Sequence, residues 1–461
     1  MLVTASGRYA SKMLERHIAG AARELEAAGI GPGDAVVVCL PNDVRWAALV
    51  LALARLGAVS VPLNVASAVE EIAYVLEDSG ARLALLPGGA AHSLTPRYPG
   101  RLLWPDGIAT GGRVVGGDGM IRRSGITTIA YTSGTTGRPK GVLQSDRAVH
   151  LGGTSMARRL GWESDDVVVT ALPLAHSYGT NVLNAALSVD ATLVILPGFD
   201  ETRLLTAARR WGATVLAGVP TMYRRLLADP LVRSISGVRC AVSAGQSAGP
   251  ELGPRWEREV GGAFVEGWGM TELGGFAALA APDLANRHGT VGTAAPQATL
   301  RVDPDGQGGD SRIGELVVTG PMVTPGYVGA TADCVSADGW LRTGDLGTIG
   351  ADGVVRVVGR AKDVILTGGF SVYPAEVERV VAQHPDVREV AVAAVADSAR
   401  GEITCAWIVL RPGARPTTTQ IVDFCRPHLA TYKLPRQVVV LPELPLSSTG
   451  KVLRRELPVP A

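Results

Sequence analysis

The alternation of helical patterns with short apolar runs is the feature of this sequence that most constrains its fold. Residues 13–29 (MLERHIAGAARELEAAG) carry apolar side chains at helical spacing, and Gly29 suits the end of a helix. Residues 35–63 then give an apolar run, a second helical pattern and another apolar run, and residues 191–230 continue the alternation. Continuous apolar strands between helices are typical of a parallel sheet covered by helices. The sequence therefore predicts an α/β protein.

The pattern changes after Ile313. Between residues 314 and 360, short alternating runs are separated by Asp-Gly pairs, which predicts antiparallel hairpins. From residue 374 the chain shows a helix, two strands and another helix, within a segment of about 100 residues that can form its own core. We place a domain boundary at Gly359 to Asp363.

Composition excludes several classes of protein. The 461 residues carry a net charge of +1, which excludes a basic nucleic-acid binder and an acidic disordered chain. The longest apolar run, residues 47–59, is interrupted by Arg55, so no membrane-spanning helix is expected. Charged residues near the N-terminus stand where a signal peptide needs apolar ones, and the five cysteines and seven histidines are widely scattered. We expect a cytoplasmic protein with reduced thiols and no structural metal.

Glycine is abundant, at 57 residues, and it clusters beside hydroxyl and charged side chains. The densest cluster lies in residues 126–142 (ITTIAYTSGTTGRPKGV), where an apolar strand runs into glycines, hydroxyls and two cations. Backbone N–H groups of such a loop converge on phosphate oxygens while hydroxyls donate and Lys140 adds charge. The spacing is not that of a Walker loop, and the alternative is a surface turn. The candidate phosphate ligands are Thr132, Ser133, Gly134, Thr135, Thr136, Gly137 and Lys140.

Two later segments carry further candidate groups. GWGMTE offers an aromatic face at Trp268 and a carboxylate at Glu272 that suits Mg²⁺, although a buried tryptophan beside a surface glutamate also explains it. GWLRTGDLG places Asp345 between glycines, either as an acceptor for ribose hydroxyls or as an ordinary hairpin corner. Each segment alone is a weak signal.

Two more segments lie near the domain boundary and the C-terminus. GRAKDVILTGGFSVYPAEVE, residues 359–378, contains Gly368 and Gly369 and suits either a hinge or a plain linker. PLSSTGKVLRR, residues 445–455, forms a turn with Lys451 at its tip, or a flexible terminal loop.

In this order, the five segments resemble the motifs of the adenylate-forming superfamily, which includes acyl- and aryl-CoA synthetases, peptide-synthetase adenylation domains and luciferases. YTSGTTGRPKG resembles the family's phosphate loop nearly residue for residue, and GWGMTE, RTGD, GR-x-K-D and S-x-T-G-K match its later motifs. Three of only five lysines, Lys140, Lys362 and Lys451, occupy motif positions. The resemblance implies an α/β fold with a large N-terminal domain (1–359) of helix-covered, mostly parallel sheets and a small β-barrel-like subdomain. A small, hinged α+β C-terminal domain (360–461) would follow.

The resemblance also implies a reaction in two halves. A carboxylate attacks the α-phosphorus of ATP to give an acyl-adenylate and pyrophosphate, and a thiol, coenzyme A or the phosphopantetheine of a carrier protein, then displaces AMP. Two anions must be brought together, so alignment and charge neutralisation dominate the catalysis.

Residue roles follow from the matched motifs. Lys451 would bridge the substrate carboxylate and the α-phosphate, Thr271 would bind the α-phosphate, and Asp345 with Arg360 would bind the ribose. Residues 132–141 would hold the β- and γ-phosphates, with Mg²⁺ at Glu272 and Thr135. The remaining implied positions are adenine contacts at Trp268, Gly245, Gln246 and Ser247, a thiol-channel residue at His176, a hinge at Lys362 and a thiol-step loop at Gly368 and Gly369.

The acid substrate is the least constrained prediction. By position the acyl pocket would be lined by Tyr178, Thr180, Asn181, Gly218, Val219, Gly267, Gly274 and Gly275. These residues include no cation for a dicarboxylate, so we expect a medium-chain, branched or aryl monocarboxylate. Three hypotheses remain open: an acid–CoA ligase, a stand-alone ligase that loads a carrier protein, and a non-catalytic nucleotide-binding homologue.

Overall fold

A computed structural model gives the arrangement of the chain. It describes residues 1–87, 90, 93–94, 102–103, 125–132, 139–249, 251–284, 288–304, 312–329, 334–367, 370–397, 400–446 and 452–460.

A nine-stranded sheet forms the centre of the N-terminal region, in the strand order β15-β14-β13-β12-β11-β9-β10-β1-β2. Its middle strands are parallel, and β2, β14 and β15 are antiparallel additions at its edges. The strands are β1 (Leu2–Thr4), β2 (Gly7–Tyr9), β9 (Val167–Thr170), β10 (Thr192–Ile195), β11 (Val215–Gly218), β12 (Cys240–Ala244), β13 (Ala263–Met270), β14 (Gly275–Leu279) and β15 (Thr293–Ala294).

A six-stranded sheet lies beside it, in the order β6-β5-β3-β4-β7-β8. All of its pairs are parallel except β7 with β8, which is antiparallel. The strands are β3 (Ala35–Val38), β4 (Val59–Pro62), β5 (Leu83–Leu85), β6 (Leu102–Leu103), β7 (Ile126–Thr132) and β8 (Lys140–Ser145).

Helices cover both sheets because their apolar faces pack against the strands. One apolar core joins Ile18, Trp46, Met156 and Val182, on four helices, to strands of both sheets. The other faces of the sheets are covered by separate clusters. The helices are α1 (Ser11–Ala27), α2 (Val44–Arg55), α3 (Val69–Asp78), α4 (Asp146–Arg159), α5 (Ser177–Ser188), α6 (Glu201–Trp211), α7 (Pro220–Leu226), α8 (Leu252–Glu259), α9 (Pro374–Val381) and α10 (Thr418–Cys425).

Two smaller sheets complete the chain. An antiparallel four-stranded sheet consists of β16 (Thr299–Pro304), β17 (Gly314–Thr319), β18 (Leu341–Ile349) and β19 (Val355–Arg360). A short 3-10 turn, Ala361–Asp363, leads from it into a five-stranded sheet with its own apolar core. That sheet contains β20 (Ile365–Thr367), β21 (Phe370–Val372), β22 (Val387–Asp397), β23 (Gly401–Leu410) and β24 (Gln437–Val440), and α9 and α10 pack on it.

The fold predicted from the sequence is confirmed. The structure is α/β, its large sheets are mostly parallel, and residues 314–360 form antiparallel strands. Gly29 follows α1 with φ of 80°, the left-handed conformation expected of a glycine at a helix end. None of the helices in the described ranges combines the length and apolar character that a membrane span requires.

Candidate active site

The two ends of the predicted phosphate loop are held side by side. Thr132 at the end of β7 pairs with Lys140 at the start of β8, and the predicted ligands Ser133 to Gly137 lie outside the described residues. Helix α3 fixes both ends: the Tyr131 hydroxyl donates to Asp78 at 2.5 Å, and the Tyr74 hydroxyl donates to the Pro139 carbonyl at 3.0 Å. The loop therefore begins and ends on two strands that are paired with each other and bonded to α3.

The acidic turn after β13 lies beside the β7–β8 pair. Thr271 and Glu272 form a 3-10 turn that ends at Gly274, whose φ of 60° favours glycine. Glu272 is buried, which excludes the surface glutamate considered above. The Tyr327 hydroxyl donates to Oε1 of Glu272 at 3.1 Å, and burial raises the pKa of Tyr327, so the hydroxyl stays protonated as a donor.

A buried glutamine joins this turn to the start of α5. Nε2 of Gln144, on β8, donates to the Thr271 carbonyl at 2.8 Å and lies 3.3 Å from Oγ of Ser177. His176 precedes Ser177 and caps α5, with its Nδ1 accepting from the Tyr178 N–H at 3.4 Å. His176 is thus fixed next to the elements that carry Lys140 and Thr271.

Part of the predicted acyl pocket comes together on α5 and β14. A Cβ on Gly275 would lie 2.8 Å from Cα of Gly152 and 3.2 Å from Nδ2 of Asn181, so these backbones approach closely only because both are glycine. Asn181 is 2% exposed. The Tyr178 ring packs edge-on against Phe276, with ring centroids 5.4 Å apart.

The hydroxyl of Tyr178 is already used by the protein. It donates to the Val242 carbonyl at 2.9 Å, and burial raises the pKa of Tyr178, so it stays neutral. Gly267 faces the Phe276 ring, because a Cβ there would meet it at 2.6 Å, and Gly218 faces Met222 at 3.3 Å. Val219, buried, precedes α7. The two glycines therefore pack against side chains of the protein itself.

The predicted ribose carboxylate, Asp345, contacts Arg360 and Trp268. Asp345 is opposite Arg360 in the β18–β19 pair, and its Oδ1 lies 2.5 Å from Nε of Arg360. The indole N–H of Trp268 donates to Oδ2 of Asp345 at 2.7 Å. Trp268 is 7% exposed and packs in the core of the four-stranded sheet. Sequence reasoning placed these residues in one site, and the structure brings all three into contact.

The predicted adenine turn is anchored by two charged residues that the sequence did not single out. Gly245 has φ of 90°, and Gln246 and Ser247 follow it on the turn. The Ala248 N–H donates to Oε2 of Glu266 at 3.0 Å, and Nη2 of Arg224 donates to the Ala248 carbonyl at 2.8 Å. Burial raises the pKa of Glu266 to about 7, an effect that backbone N–H donors and Arg224 reduce.

The predicted hinge lies between the two smaller sheets. Lys362 is exposed on the 3-10 turn, whereas Gly368, Gly369 and Lys451 lie outside the described residues. Arg454 holds the segment after Lys451: Nη2 lies 2.6 Å from Oε1 of Glu378, and Nε donates to the Val392 carbonyl at 3.1 Å.

Sequence reasoning missed the residues that join the motifs. Tyr327, Gln144, Glu266 and Arg454 each contact a motif that is distant in sequence, with Tyr327 lying 55 residues from Glu272. No spacing rule relates such pairs. Arg454 lies within the segment 445–455 and Glu266 directly precedes GWGMTE, whereas nothing in the sequence marked Tyr327 or Gln144.

Helix-covered, mostly parallel sheets followed by a separate five-stranded C-terminal sheet are the arrangement expected of an adenylate-forming enzyme. The chain matches two family models, "AMP-binding enzyme" over residues 5–328 and "AMP-binding enzyme C-terminal domain" over residues 376–451. It belongs to the AMP-binding enzyme family.

Relatives that align with almost the whole chain support this family assignment. Feruloyl-CoA synthase of an Amycolatopsis species is 34% identical over 96% of this chain and 92% of its own length. The 2-succinylbenzoate–CoA ligase of Geobacillus kaustophilus is 34% identical over 99% of this chain and 94% of its own. The solved o-succinylbenzoate coenzyme A synthetase of Bacillus subtilis, in complex with ATP and a magnesium ion, is 29% identical over 99% of this chain and 96% of its own, with a TM-score of 0.87.

The protein is therefore an AMP-forming acid–thiol ligase. It activates a carboxylic acid with ATP and Mg²⁺ as an acyl-adenylate and transfers the acyl group to coenzyme A.

Proposed function

We propose that the groups described above divide the two half-reactions as follows. The triphosphate lies against residues 132–141, the α-phosphate against Thr271, and the ribose against Asp345. The adenine contacts the Gly245–Ser247 turn and Trp268, and the acid enters beside Asn181. The main support for this assignment is the Gln144 amide, on the strand that begins at Lys140. Its Nε2 donates to the Thr271 carbonyl and also contacts Ser177, the neighbour of His176.

Magnesium fits this arrangement as an ion that arrives with ATP. Mg²⁺ is usually held by one or two carboxylates together with substrate phosphates and water. The described residues offer the Glu272 carboxylate near the end of the phosphate loop, and they contain no group of three or more His, Cys, Asp or Glu arranged to hold a metal. Glu272, with Thr135 as a second ligand, would hold the ion, which neutralises phosphate charge when bound.

The first half-reaction needs a cation between two anions. Lys451 would contact the acid carboxylate and the α-phosphate, which lowers their repulsion and aligns the attacking oxygen. Rotation at Lys362, between an N-terminal domain of residues 1–359 and a mobile C-terminal domain of residues 360–461, would then withdraw Lys451. The same rotation would bring Gly368 and Gly369 to the adenylate, where His176 faces the entering thiol.

The acid is proposed to be an aryl or branched monocarboxylate. The pocket positions Tyr178, Asn181, Gly218, Val219 and Gly275 carry no charge, and the Tyr178 hydroxyl is occupied by a backbone carbonyl. Asn181 is then the polar group best placed to bond a substituent on the substrate. An aryl acid is also the substrate class in the name of the related feruloyl-CoA synthase.

The alternative acceptor of the acyl group is the phosphopantetheine of a carrier protein, which uses the same first half-reaction.

A cytoplasmic location is proposed as well, because Cys39, Cys240, Cys334, Cys405 and Cys425 are all free thiols.

A panel of acids in a pyrophosphate-release assay, with and without coenzyme A, tests the proposal. Turnover with an aryl or branched acid and coenzyme A supports it. Turnover only with a phosphopantetheinylated carrier favours the carrier-loading ligase, and ATP binding without pyrophosphate release for any acid favours the non-catalytic homologue.

The Lys451→Ala variant should lose on the order of 100-fold in adenylation, yet retain thioester formation from supplied acyl-adenylate. Lys12→Ala, at an exposed position on α1, is the matched control. Equal loss of both activities by Lys451→Ala contradicts the division of roles.

A further inference from the structure

Tyr327 lies where two parts of the ATP site meet. Its hydroxyl donates to Glu272 at 3.1 Å and lies 3.3 Å from Sγ of Cys334. Nζ of Lys140 lies 5.6 Å from the centre of its ring, within the range of a cation–π contact. One side chain thus touches both the lysine at the end of the phosphate loop and the carboxylate of the acidic turn.

The backbone around Tyr327 makes this position rigid. Tyr327 forms an antiparallel bridge with Val142, and the neighbouring Val328 N–H donates to the Gly141 carbonyl at 2.8 Å. On the other side, the Thr324 N–H donates to the Glu272 carbonyl at 2.8 Å. Residues 324–328 therefore form a clasp, bonded through the backbone to β8 and to the acidic turn.

Glycine at position 141 is what lets the clasp approach. A Cβ there would lie 2.7 Å from Cγ2 of Val328 and 2.9 Å from both Ile129 and Tyr131, closer than side chains pack. The glycine that ends the phosphate-loop motif therefore serves the contact with the clasp as well as the loop.

We infer that Tyr327 is a positioning residue for Mg·ATP: its hydroxyl orients the Glu272 carboxylate toward the ion, and its ring holds the Lys140 ammonium toward the triphosphate. The inference rests on the proposed roles of Glu272 and Lys140. A carboxylate held by a hydroxyl donor keeps one orientation, whereas one without it rotates and must be ordered when the ligand binds.

The two functions of the side chain are separable. Tyr327→Phe keeps the ring over Lys140 and removes the hydroxyl, with its bond to Glu272 and its contact with Cys334. It should weaken ATP binding about tenfold when Mg²⁺ is present and leave binding of ATP in excess EDTA unchanged. Tyr327→Leu removes the ring as well, so it should also weaken binding in EDTA, by about threefold.

Isothermal titration calorimetry of the full chain with ATP plus MgCl₂, and with ATP plus EDTA, measures both effects without catalysis. Tyr9→Phe, which removes a remote hydroxyl bonded to Ser6, is the matched control and should bind as wild type does. Thioester formation from supplied acyl-adenylate and coenzyme A should be retained by Tyr327→Phe, because that step uses neither Mg²⁺ nor triphosphate. Equal weakening with and without Mg²⁺, or no weakening, overturns the inference.

A second variant protects the test against misfolding. Glu272→Gln keeps the acceptor for the tyrosine and removes the charge, so it should show the same Mg²⁺-selective loss. The double variant with Tyr327→Phe should lose less than the product of the two single losses, and strictly multiplicative losses contradict the coupling. Wild-type protein that releases no pyrophosphate with any acid refutes the proposed function instead, and calorimetry distinguishes that result from a failure of the Tyr327 inference.

Discussion

The buried carboxyl of Glu266 should make the stability of this protein depend on pH. Burial raises its pKa from 4.5 to about 7, so the folded protein binds a proton more tightly there than the unfolded chain does. The stabilising contribution is complete below pH 4.5 and is lost as the pH rises through 7. Arg224, which bonds the same turn through the Ala248 carbonyl, favours the charged form but does not reverse the shift.

The size of the effect follows from the two pKa values. A group that titrates at 4.5 unfolded and at about 7 folded loses about 2.5 kcal/mol of stability between pH 5 and pH 8. The Glu266→Gln variant keeps an acceptor for the Ala248 N–H at all pH values and does not titrate. Wild type should therefore lose about 2.5 kcal/mol relative to Glu266→Gln over that range.

Urea unfolding at pH 5, 6, 7 and 8, followed by tryptophan fluorescence, measures this difference. Glu26→Gln, at an exposed position on α1, controls for the loss of one negative charge and should parallel wild type. Parallel curves for wild type and Glu266→Gln refute the argument, because they require the carboxyl to titrate alike in the folded and unfolded states. A difference that grows toward low pH would show that the folded state favours the charged form instead.

Two further predictions concern the clasp and the C-terminal tail. Gly141→Ala should cost about 1–3 kcal/mol by overpacking and should weaken ATP binding in calorimetry, whereas Gly20→Ala, where an added Cβ meets nothing within 4 Å, should be neutral or stabilising. Arg454→Met should slow adenylation about tenfold, because it removes the ion pair with Glu378 that holds the segment after Lys451. Thioester formation from supplied acyl-adenylate should be spared, and Arg455→Met, at a 69% exposed side chain, should behave as wild type in both steps.

The local structure of this chain was predictable because its patterns are local. The helical spacing of residues 44–57 gave α2, which the structure has as Val44–Arg55, and the apolar run at residues 191–198 gave β10, Thr192–Ile195. The Asp-Gly pairs between residues 314 and 360 fixed the antiparallel sheet. In each case side-chain period and turn chemistry are enough, since both act over a few neighbouring residues.

The contacts that assemble the site were not predictable in the same way. The motifs named Glu272 and Lys140, but nothing in the sequence related either to Tyr327, because that contact exists only when the clasp lies along β8. Packing also occupies a polar group of a predicted pocket residue: the Tyr178 hydroxyl donates to the Val242 carbonyl. Local patterns give the parts of a site, and tertiary packing decides which polar atoms remain for a ligand.

Ion pairs also join motifs that are far apart in the sequence. Asp345 contacts Arg360, which immediately precedes the turn that carries Lys362 and Asp363, and Oδ2 of Asp363 lies 3.8 Å from Nη1 of Arg454. Asp345, proposed to bind the ribose, Lys362, proposed as the hinge, and the C-terminal tail thus lie along a path made of two ion pairs and one short turn. Asp345 and Arg360 both precede Lys362, whereas Asp363 and Arg454 both follow it, so a rotation at Lys362 would keep each pair intact and carry the tail together with Asp363.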